Sequence, residues 1–230
     1  MTQRLGILGG TFDPVHFGHL DTAAAARTAL ALHEVLFVPS HDPPHRPADP
    51  HATGFHRLEM AALAIGEAPA NKVSDLELLR SGKSFTSDTL RALQSAGWAP
   101  AQLFFILGAD AFAEIATWHE FPFVLDATNF AVIARPGTTI EAALWRTPEL
   151  LARTQQASAD ANTSDHTGIF LVEAATRDVS STLIRRRIAG GRPIGDLVPA
   201  AVARHIAAHN LYKAEDVLHG YDEDNKNEDN

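Results

Sequence analysis

Sequence positions 9–19 read Gly9-Gly10-Thr11-Phe12-Asp13-Pro14-Val15-His16-Phe17-Gly18-His19, and they follow directly on the apolar run Leu5-Gly6-Ile7-Leu8. This order predicts a buried strand, a glycine turn and then a helix that begins near Phe17. The two glycines of the turn let the backbone approach a ligand closely, because they carry no Cβ. Two imidazoles lie three residues apart at the start of the helix, whose free N–H groups carry partial positive charge. The stretch therefore predicts a site for the phosphates of a nucleotide.

Apolar runs alternate with helical patterns along the rest of the chain. Strands are predicted at Arg4–Leu8, Glu34–Pro39, Lys72–Leu76, Gln102–Leu107, Asn129–Ala134 and Gly168–Val172. Helices are predicted at Phe17–Leu32, Phe55–Ile65, Ser87–Ala96, Ala109–Ile115, Phe121–Leu125, Ile140–Leu151, Ser180–Ala189 and Ala200–His209, and a surface loop at Thr154–Thr167. This alternation is typical of an α/β fold in which helices cover both faces of a parallel sheet. In such folds ligands bind at the carboxyl ends of the strands.

The composition excludes several classes of protein. The chain has 230 residues, 45% of them hydrophobic, which is enough for a sizeable core. It contains no cysteine, so disulfides, thiolate metal sites and a cysteine nucleophile are excluded. No apolar run has transmembrane length, and the first residues lead straight into a predicted strand. We therefore expect a cytoplasmic protein that has no membrane partner.

The net charge of −9 is concentrated at the C-terminus. Residues 214–230 contain seven acidic residues and one lysine, which leaves a charge of only −3 for residues 1–213. We expect residues 1–213 to form a single domain and residues 214–230 to form a disordered acidic tail. The body has no basic face of the size that nucleic acid requires. The sequence leaves open the role of the tail and whether the chain forms a homo-oligomer.

Positions 9–19 resemble the His-x-Gly-His motif of the nucleotidyltransferase superfamily. The fuller pattern is similar to that of the bacterial nicotinate-nucleotide adenylyltransferases, and the resemblance covers about residues 4–213. It implies a Rossmann-like fold and the transfer of AMP from ATP to nicotinate mononucleotide, with Mg²⁺ held mainly by the ATP phosphates and water. It also implies that His16 and His19 are catalytic. The resemblance assigns contacts with ATP to Gly9, Gly10, Thr11 and Phe12.

Four further segments resemble the part of the family that binds the pyridine nucleotide. The resemblance assigns substrate contacts to Ser40, His45, Arg46, Phe85, Thr86, Trp118, His119 and Arg135. Each segment also has an ordinary structural explanation: a proline-rich surface loop, a helix N-cap, a core tryptophan and an exposed turn. Phe85 and His119 depart from the family pattern, because many relatives have tyrosine at these two positions.

Two segments resemble the part of the family that binds ATP. Gly108-Ala109-Asp110 follows a predicted strand, and the resemblance implies that Gly108 and Asp110 meet the ribose hydroxyls. The second segment is the start of the helix predicted at Ser180–Ala189. Its hydroxyl groups and free N–H groups suit a triphosphate, and Arg185 adds a fixed positive charge. The resemblance assigns the β- and γ-phosphates to Ser180, Ser181, Thr182 and Arg185, with Arg185 in a catalytic role. Each segment also has an ordinary structural explanation. Asp110 fits a helix-terminal aspartate without a binding role, and the segment at Ser180 fits a well-capped surface helix.

The sequence also leaves two other functions open. One is adenylyl transfer to a related acceptor, such as nicotinamide mononucleotide, phosphopantetheine or a flavin. The other is a non-catalytic nucleotide sensor, which would have no need of His16, His19 and Arg185. The twelve histidines show no metal-ligand spacing in the sequence, so no side-chain metal site is predicted.

Overall fold

A parallel sheet organises the chain, and the computed structural model describes residues 3–44, 49–66, 68, 70–134, 148–159 and 166–213 of it. Within these ranges seven strands pair in the order β3-β2-β1-β4-β5-β7-β6, and every pairing is parallel. The strands are β1 (Leu5–Gly10), β2 (Glu34–Pro39), β3 (Asn71–Val73), β4 (Leu103–Gly108), β5 (Asn129–Ala134), β6 (Thr154–Gln156) and β7 (Ile169–Glu173). The prediction of a parallel α/β fold is confirmed.

The described helices connect and cover these strands. They are α1 (Phe17–Ala29), α2 (Gly54–Ile65), α3 (Thr86–Ser95), α4 (Ala109–Ala113), α5 (Phe123–Ala127), α6 (Pro148–Arg153), α7 (Ser181–Ala189) and α8 (Ala200–Ala208), with short 3₁₀ turns at Pro100–Gln102 and Ile115–Thr117. Within the described part of the chain, no helix is both long and apolar enough to cross a membrane.

Apolar layers cover both faces of the sheet. One layer joins the sheet to α1, α2, α7 and α8, and the other joins it to α3, α4, α5 and α6. Successive residues of a strand face opposite layers, as Ile7 and Leu8 do in β1. Because both faces are buried, the strands are continuous apolar runs, which is why most of them could be predicted. Gly6 lies where two elements approach closely, since a Cβ there would stand 2.9 Å from the side chains of Leu32 and Ile106.

One predicted loop is wrong in part. Thr154–Gln156 forms β6, which pairs with β7 at the edge of the sheet. The strand has only three residues, all polar and none buried, so no apolar pattern could indicate it. Residues 160–165 of the same predicted loop, the first part of the helix predicted at Ile140–Leu151 and the predicted acidic tail lie outside the described residues.

The strand order reverses direction beside β1. The chain runs outward from β1 to β2 and β3, and then returns to place β4 on the other side of β1. The loops that follow β1 and β4 therefore leave the sheet side by side and diverge, which opens a crevice between them. Positions 9–19 and Gly108 both lie at this crevice.

Candidate active site

The two histidines of the motif are held against each other at the start of α1. The backbone N–H of His16 donates to Nδ1 of His19 over 3.2 Å, and the two rings stack with centroids 3.7 Å apart. Because Nδ1 of His19 accepts this hydrogen bond, a neutral His19 carries its proton on Nε2. Gly18 between them is closely packed, since a Cβ would stand 3.1 Å from Nδ1 of His16 and 3.2 Å from the carbonyl of Arg177, and a larger residue would require these neighbours to move by a few tenths of an ångström.

His16 is the more buried of the pair, with 6% of its surface exposed. Burial lowers its pKa to about 4, although the Asp21 carboxylate opposes the shift. The ring is therefore neutral near pH 7. Its Nδ1 atom is buried and has no hydrogen-bond partner within the described residues. This nitrogen faces the first turn of α1, 3.1 Å from the point where a Cβ on Gly18 would stand.

The turn before α1 brings Phe12 beneath the histidines. Phe12 has a φ of 51°, a left-handed conformation that bulky residues rarely adopt. Its ring packs edge-on to His19, with centroids 5.0 Å apart. A Cβ on Gly10 would stand 3.1 Å from this ring, so a larger residue there would require the ring to shift by a few tenths of an ångström. The side chain of Phe12 thus supports His19 from the core, which leaves only its backbone for the predicted contact with ATP.

Asp13 holds the loop together and is only 1% exposed. Its Oδ2 accepts from the backbone N–H of His51 at 2.8 Å, and its Oδ1 accepts from the N–H of Ala52 at 3.0 Å and from the Tyr212 hydroxyl at 2.8 Å. Burial is the main cause that raises the pKa of Tyr212, and the Asp13 charge adds to it, so the hydroxyl stays a donor. The carboxylate therefore joins the motif to the start of α2 and to the segment that follows α8.

Helix α7 is fastened to the same loop. Nη1 of Arg185 donates to the carbonyl of Asp13 at 2.6 Å and lies 3.8 Å from Oδ2 of its carboxylate. The Ser181 hydroxyl donates to the carbonyl of Pro14 at 2.9 Å, and Ser180 caps the helix by accepting from the N–H of Leu183. These contacts bring the N-terminus of α7 beside the N-terminus of α1. The N-terminal N–H groups of both helices and the Arg185 guanidinium thus lie beside the motif loop.

Arg57 is a site residue that the sequence did not reveal. It projects from α2, is only 2% exposed and donates to the carbonyls of Thr11, Ser40 and Ala52 at 2.8, 2.7 and 3.1 Å. The guanidinium thus clamps the loop that follows β1 to the loop that follows β2. A single arginine in a helical pattern gives no sequence signal for this role, because its partners are backbone carbonyls.

A small cavity of about 80 Å³ lies among the loop after β2, the start of α3 and the segment that holds Trp118. Phe85 and His119 both line it and stack directly on each other with ring centroids 4.1 Å apart, and Trp118 packs edge-on to Phe105 at 5.8 Å. The cavity is lined by Pro44, Ser84, Phe85, Thr86, Trp118 and His119. The Ser84 hydroxyl accepts from the N–H of His41 at 2.8 Å, which ties the loop after β2 to the start of α3. Aromatic faces and polar atoms together suit a flat heteroaromatic ring.

A larger cleft of about 420 Å³ lies beside the carboxyl ends of β4 and β5. Its lining consists of Thr22, Gly108, Ala109, Asp110, Ile133, Thr176 and Asp178. A Cβ on Gly108 would meet no atom within 4 Å, so the open space above this glycine is available to a ligand. Thr22 lies one turn along α1 from His19, so the cleft reaches the helix that carries the motif histidines.

Known proteins resemble this chain over most of its length. The cytidylyltransferase-like family model matches residues 7–187. A protein of Citrifermentans bemidjiense called "Probable nicotinate-nucleotide adenylyltransferase" is 39% identical over 213 residues, which cover 91% of this chain and 98% of that relative. The chain belongs to the nicotinate-nucleotide adenylyltransferase family. A relative of the same name from Roseiflexus sp. is 40% identical over 211 residues, which cover 91% of this chain and 98% of the relative.

Solved structures share the fold of this nicotinate-nucleotide adenylyltransferase family member. The Plasmodium falciparum nicotinic acid mononucleotide adenylyltransferase, solved as a complex with NaAD, aligns with a TM-score of 0.67 at 19% identity. The alignment covers 92% of this chain and 98% of the other. The predicted Rossmann-like nucleotidyltransferase fold is thereby confirmed.

The structure brings most of the predicted site residues of this family member to one edge of the sheet. His45, Arg46 and Arg135 lie outside the described residues. Ser40 is buried, with its hydroxyl oxygen unpaired within the described part of the chain, whereas Thr182 is exposed on α7. Asp13, Gly18, Ser84, Arg57 and Tyr212 join the predicted residues as supports of the site.

Proposed function

We propose that the chain catalyses adenylyl transfer from ATP to nicotinate mononucleotide, which yields nicotinate adenine dinucleotide and pyrophosphate. The observation that carries the proposal is the presence of two separate clefts, one lined by Trp118 and one lined by Gly108, together with the stacked pair of helix-terminal histidines. In the proposed complex the pyridine ring occupies the Trp118 cavity and the adenosine occupies the cleft at Gly108. The two phosphate groups that must react then meet at His16 and His19.

The proposed reaction needs no covalent intermediate with the protein. A 5′-phosphate oxygen of the mononucleotide forms a bond to the α-phosphorus of ATP, and the bond from that phosphorus to the bridging oxygen of pyrophosphate breaks. The leaving pyrophosphate takes the bonding electrons. Catalysis then consists of alignment and stabilisation of the developing charge. His19 Nε2–H supplies a hydrogen-bond donor at the α-phosphate in this proposal, and Arg185 with the N-terminus of α7 holds the β- and γ-phosphates.

The proposed Mg²⁺ would be held by phosphate oxygens and water. Asp13, the carboxylate within the motif, already accepts three hydrogen bonds and lies beside Arg185, so its oxygens are not available to coordinate an ion. Within the described residues, no group of three acidic or histidine ligands lies at the motif. A magnesium ion that keeps most of its water and binds mainly through substrate phosphates fits such a site. It would neutralise phosphate charge during the transfer.

The roles of the individual residues form part of the same proposal. His16 would bind a phosphate oxygen as a neutral group, because burial keeps its pKa low. Backbone N–H groups of the Gly9–Phe12 turn would approach the α-phosphate, and Asp110 would accept hydrogen bonds from ribose hydroxyls. The cytoplasm is the proposed location.

Pyrophosphate release tests the reaction and the acceptor together. Mg-ATP is mixed with nicotinate mononucleotide, nicotinamide mononucleotide, phosphopantetheine or flavin mononucleotide in separate reactions, and the products are weighed by mass spectrometry. We expect fast release with nicotinate mononucleotide and a product of the mass of nicotinate adenine dinucleotide. Preference for another acceptor would overturn the assignment of the Trp118 cavity. Binding of ATP without release from any acceptor would indicate the nucleotide sensor instead.

A further inference from the structure

Three histidines converge on the side of the molecule where α2 packs against α8. His56 lies in the first turn of α2, and His205 and His209 lie four residues apart at the C-terminal end of α8. Nδ1 of His56 and Nε2 of His205 are 3.1 Å apart, and one ring nitrogen of each histidine lies within 4.8 Å of the other two. The spacing of His205 and His209, four residues apart, places both side chains on one face of a helix.

The distances suit a shared metal ion. Two nitrogens bound to one tetrahedral zinc ion at about 2.0–2.1 Å lie roughly 3.3 Å from each other. His56 and His205 are already close to this separation, and His209 is exposed, so its ring can close the remaining gap. Burial, His209 and His56 together lower the pKa of His205, which favours the unprotonated ring that metals bind. A direct hydrogen bond between His56 and His205 is the competing explanation of their distance, but it assigns no role to His209.

The electrostatic surroundings also favour a cation. The ring centroids lie 4.5–5.2 Å apart, so protons on these rings would repel one another. The Glu59 carboxylate, one turn along α2 from His56, has a favourable electrostatic interaction with a charged His205. A single divalent ion would satisfy the three nitrogens and would also benefit from the Glu59 charge.

The cluster is connected to the loop of the active site. Ala52, which donates to Asp13, precedes His56 by four residues, and Thr53 caps α2 between them. Tyr212, which also donates to Asp13, follows His209 by three residues. A bond between α2 and α8 at the histidines therefore fixes the two segments that hold the Asp13 carboxylate.

We propose that His56, His205 and His209 bind one transition-metal ion of the zinc class, with water as the fourth ligand. The site is structural: it fastens the start of α2 to the end of α8 and so stiffens the Asp13 support of the motif loop. It is separate from the magnesium that accompanies ATP. Imidazole ligands favour Zn²⁺, Ni²⁺ and Co²⁺ over Mg²⁺, which prefers oxygen.

Metal titration of the full chain, made without a polyhistidine tag and freed of metal by a chelator, tests the proposal. Co²⁺ is followed by its visible absorption and Zn²⁺ by calorimetry. We expect one equivalent to bind, and His209→Ala to weaken Zn²⁺ binding at least about tenfold. At free zinc 100 times the dissociation constant, the melting temperature should rise by about 5–10 °C. Exchange of the Ala52 amide hydrogen should slow in the zinc form.

Two control variants locate the ion. His166→Ala removes an exposed histidine outside the cluster and should bind zinc as the wild type does. His19→Ala removes a motif histidine and should also keep the site. Equal zinc affinity in the wild type and in His209→Ala would overturn the proposal, and so would loss of zinc in His19→Ala alone. Failure of the metal site would leave pyrophosphate release with Mg-ATP unchanged, so the two proposals are tested separately.

Discussion

Replacement of Tyr212 by phenylalanine tests whether the segment after α8 supports the active site. Tyr212 is only 2% exposed, and its hydroxyl donates to Oδ1 of Asp13 at 2.8 Å. Tyr212→Phe removes this donor and keeps the ring, so the packing of the core stays intact. Asp13 retains the N–H groups of His51 and Ala52 but loses the only side-chain hydroxyl that the described residues give it.

The size of the effect follows from the charge of the acceptor. A hydrogen bond to a charged group contributes about 1.5–3 kcal/mol to stability, compared with about 1 kcal/mol for a neutral pair. We therefore expect Tyr212→Phe to lower the free energy of unfolding by about 2 kcal/mol. For a domain of this size, that loss corresponds to a decrease of about 4–8 °C in melting temperature. Because Asp13 also positions Arg185, kcat should fall while the Michaelis constant for the pyridine nucleotide changes little.

A double-mutant cycle with Asp13→Asn provides the assay. Chemical denaturation gives the free energy of unfolding of the wild type, the two single variants and the double variant. Asp13→Asn should destabilise more than Tyr212→Phe does, because an amide lacks the charge and turns an NH₂ group toward an N–H donor. In the Asp13→Asn background, Tyr212→Phe should cost less than about 1 kcal/mol. Equal costs of Tyr212→Phe in both backgrounds would refute the proposed link between Tyr212 and the Asp13 charge.

Three further predictions concern the reacting groups. His19→Ala should lower kcat by about 10²–10³-fold, because one donor to the developing charge is lost, and should change the melting temperature little. Steady-state rates of this variant, with His166→Ala as the control, check the prediction. Trp118→Ala should raise the Michaelis constant for nicotinate mononucleotide by about 10- to 100-fold and leave that for ATP unchanged, whereas Trp118→Phe should keep most of the stacking; a change confined to ATP would contradict the assignment. The pKa of His16 is about 4 in the folded state, against an ordinary 6.5, so the folded state favours the neutral ring. As the pH falls from 6.5 toward 4, the unfolded chain binds a proton that the folded state does not, and the free energy of unfolding decreases. Between pH 7 and pH 5 this loss should be about 2 kcal/mol, and denaturation of His16→Asn should show a correspondingly flatter pH dependence.

Local sequence order determined the strand-turn-helix unit at positions 9–19 and the parallel sheet around it. Each strand buried on both faces is a continuous apolar run, and two of them, β2 and β5, begin and end at the predicted residues. The first turn of α1 was also predictable from local sequence, because the glycines and the two histidines that mark it lie within one short segment. The polar edge strand β6 was not, because its pairing with β7 leaves no apolar pattern in three residues.

Tertiary structure decided which distant residues support the site. Asp13 accepts hydrogen bonds from residues up to 199 positions away, and Arg57 binds carbonyls of two separate loops. Backbone partners leave no pattern of side chains along the chain, so such contacts cannot be inferred from local spacing. The complete histidine cluster could not be inferred from local spacing either. The sequence contains the helical spacing of His205 and His209, but only the packing of α2 against α8 brings His56 to them, because the direction in which two helices meet depends on the whole core.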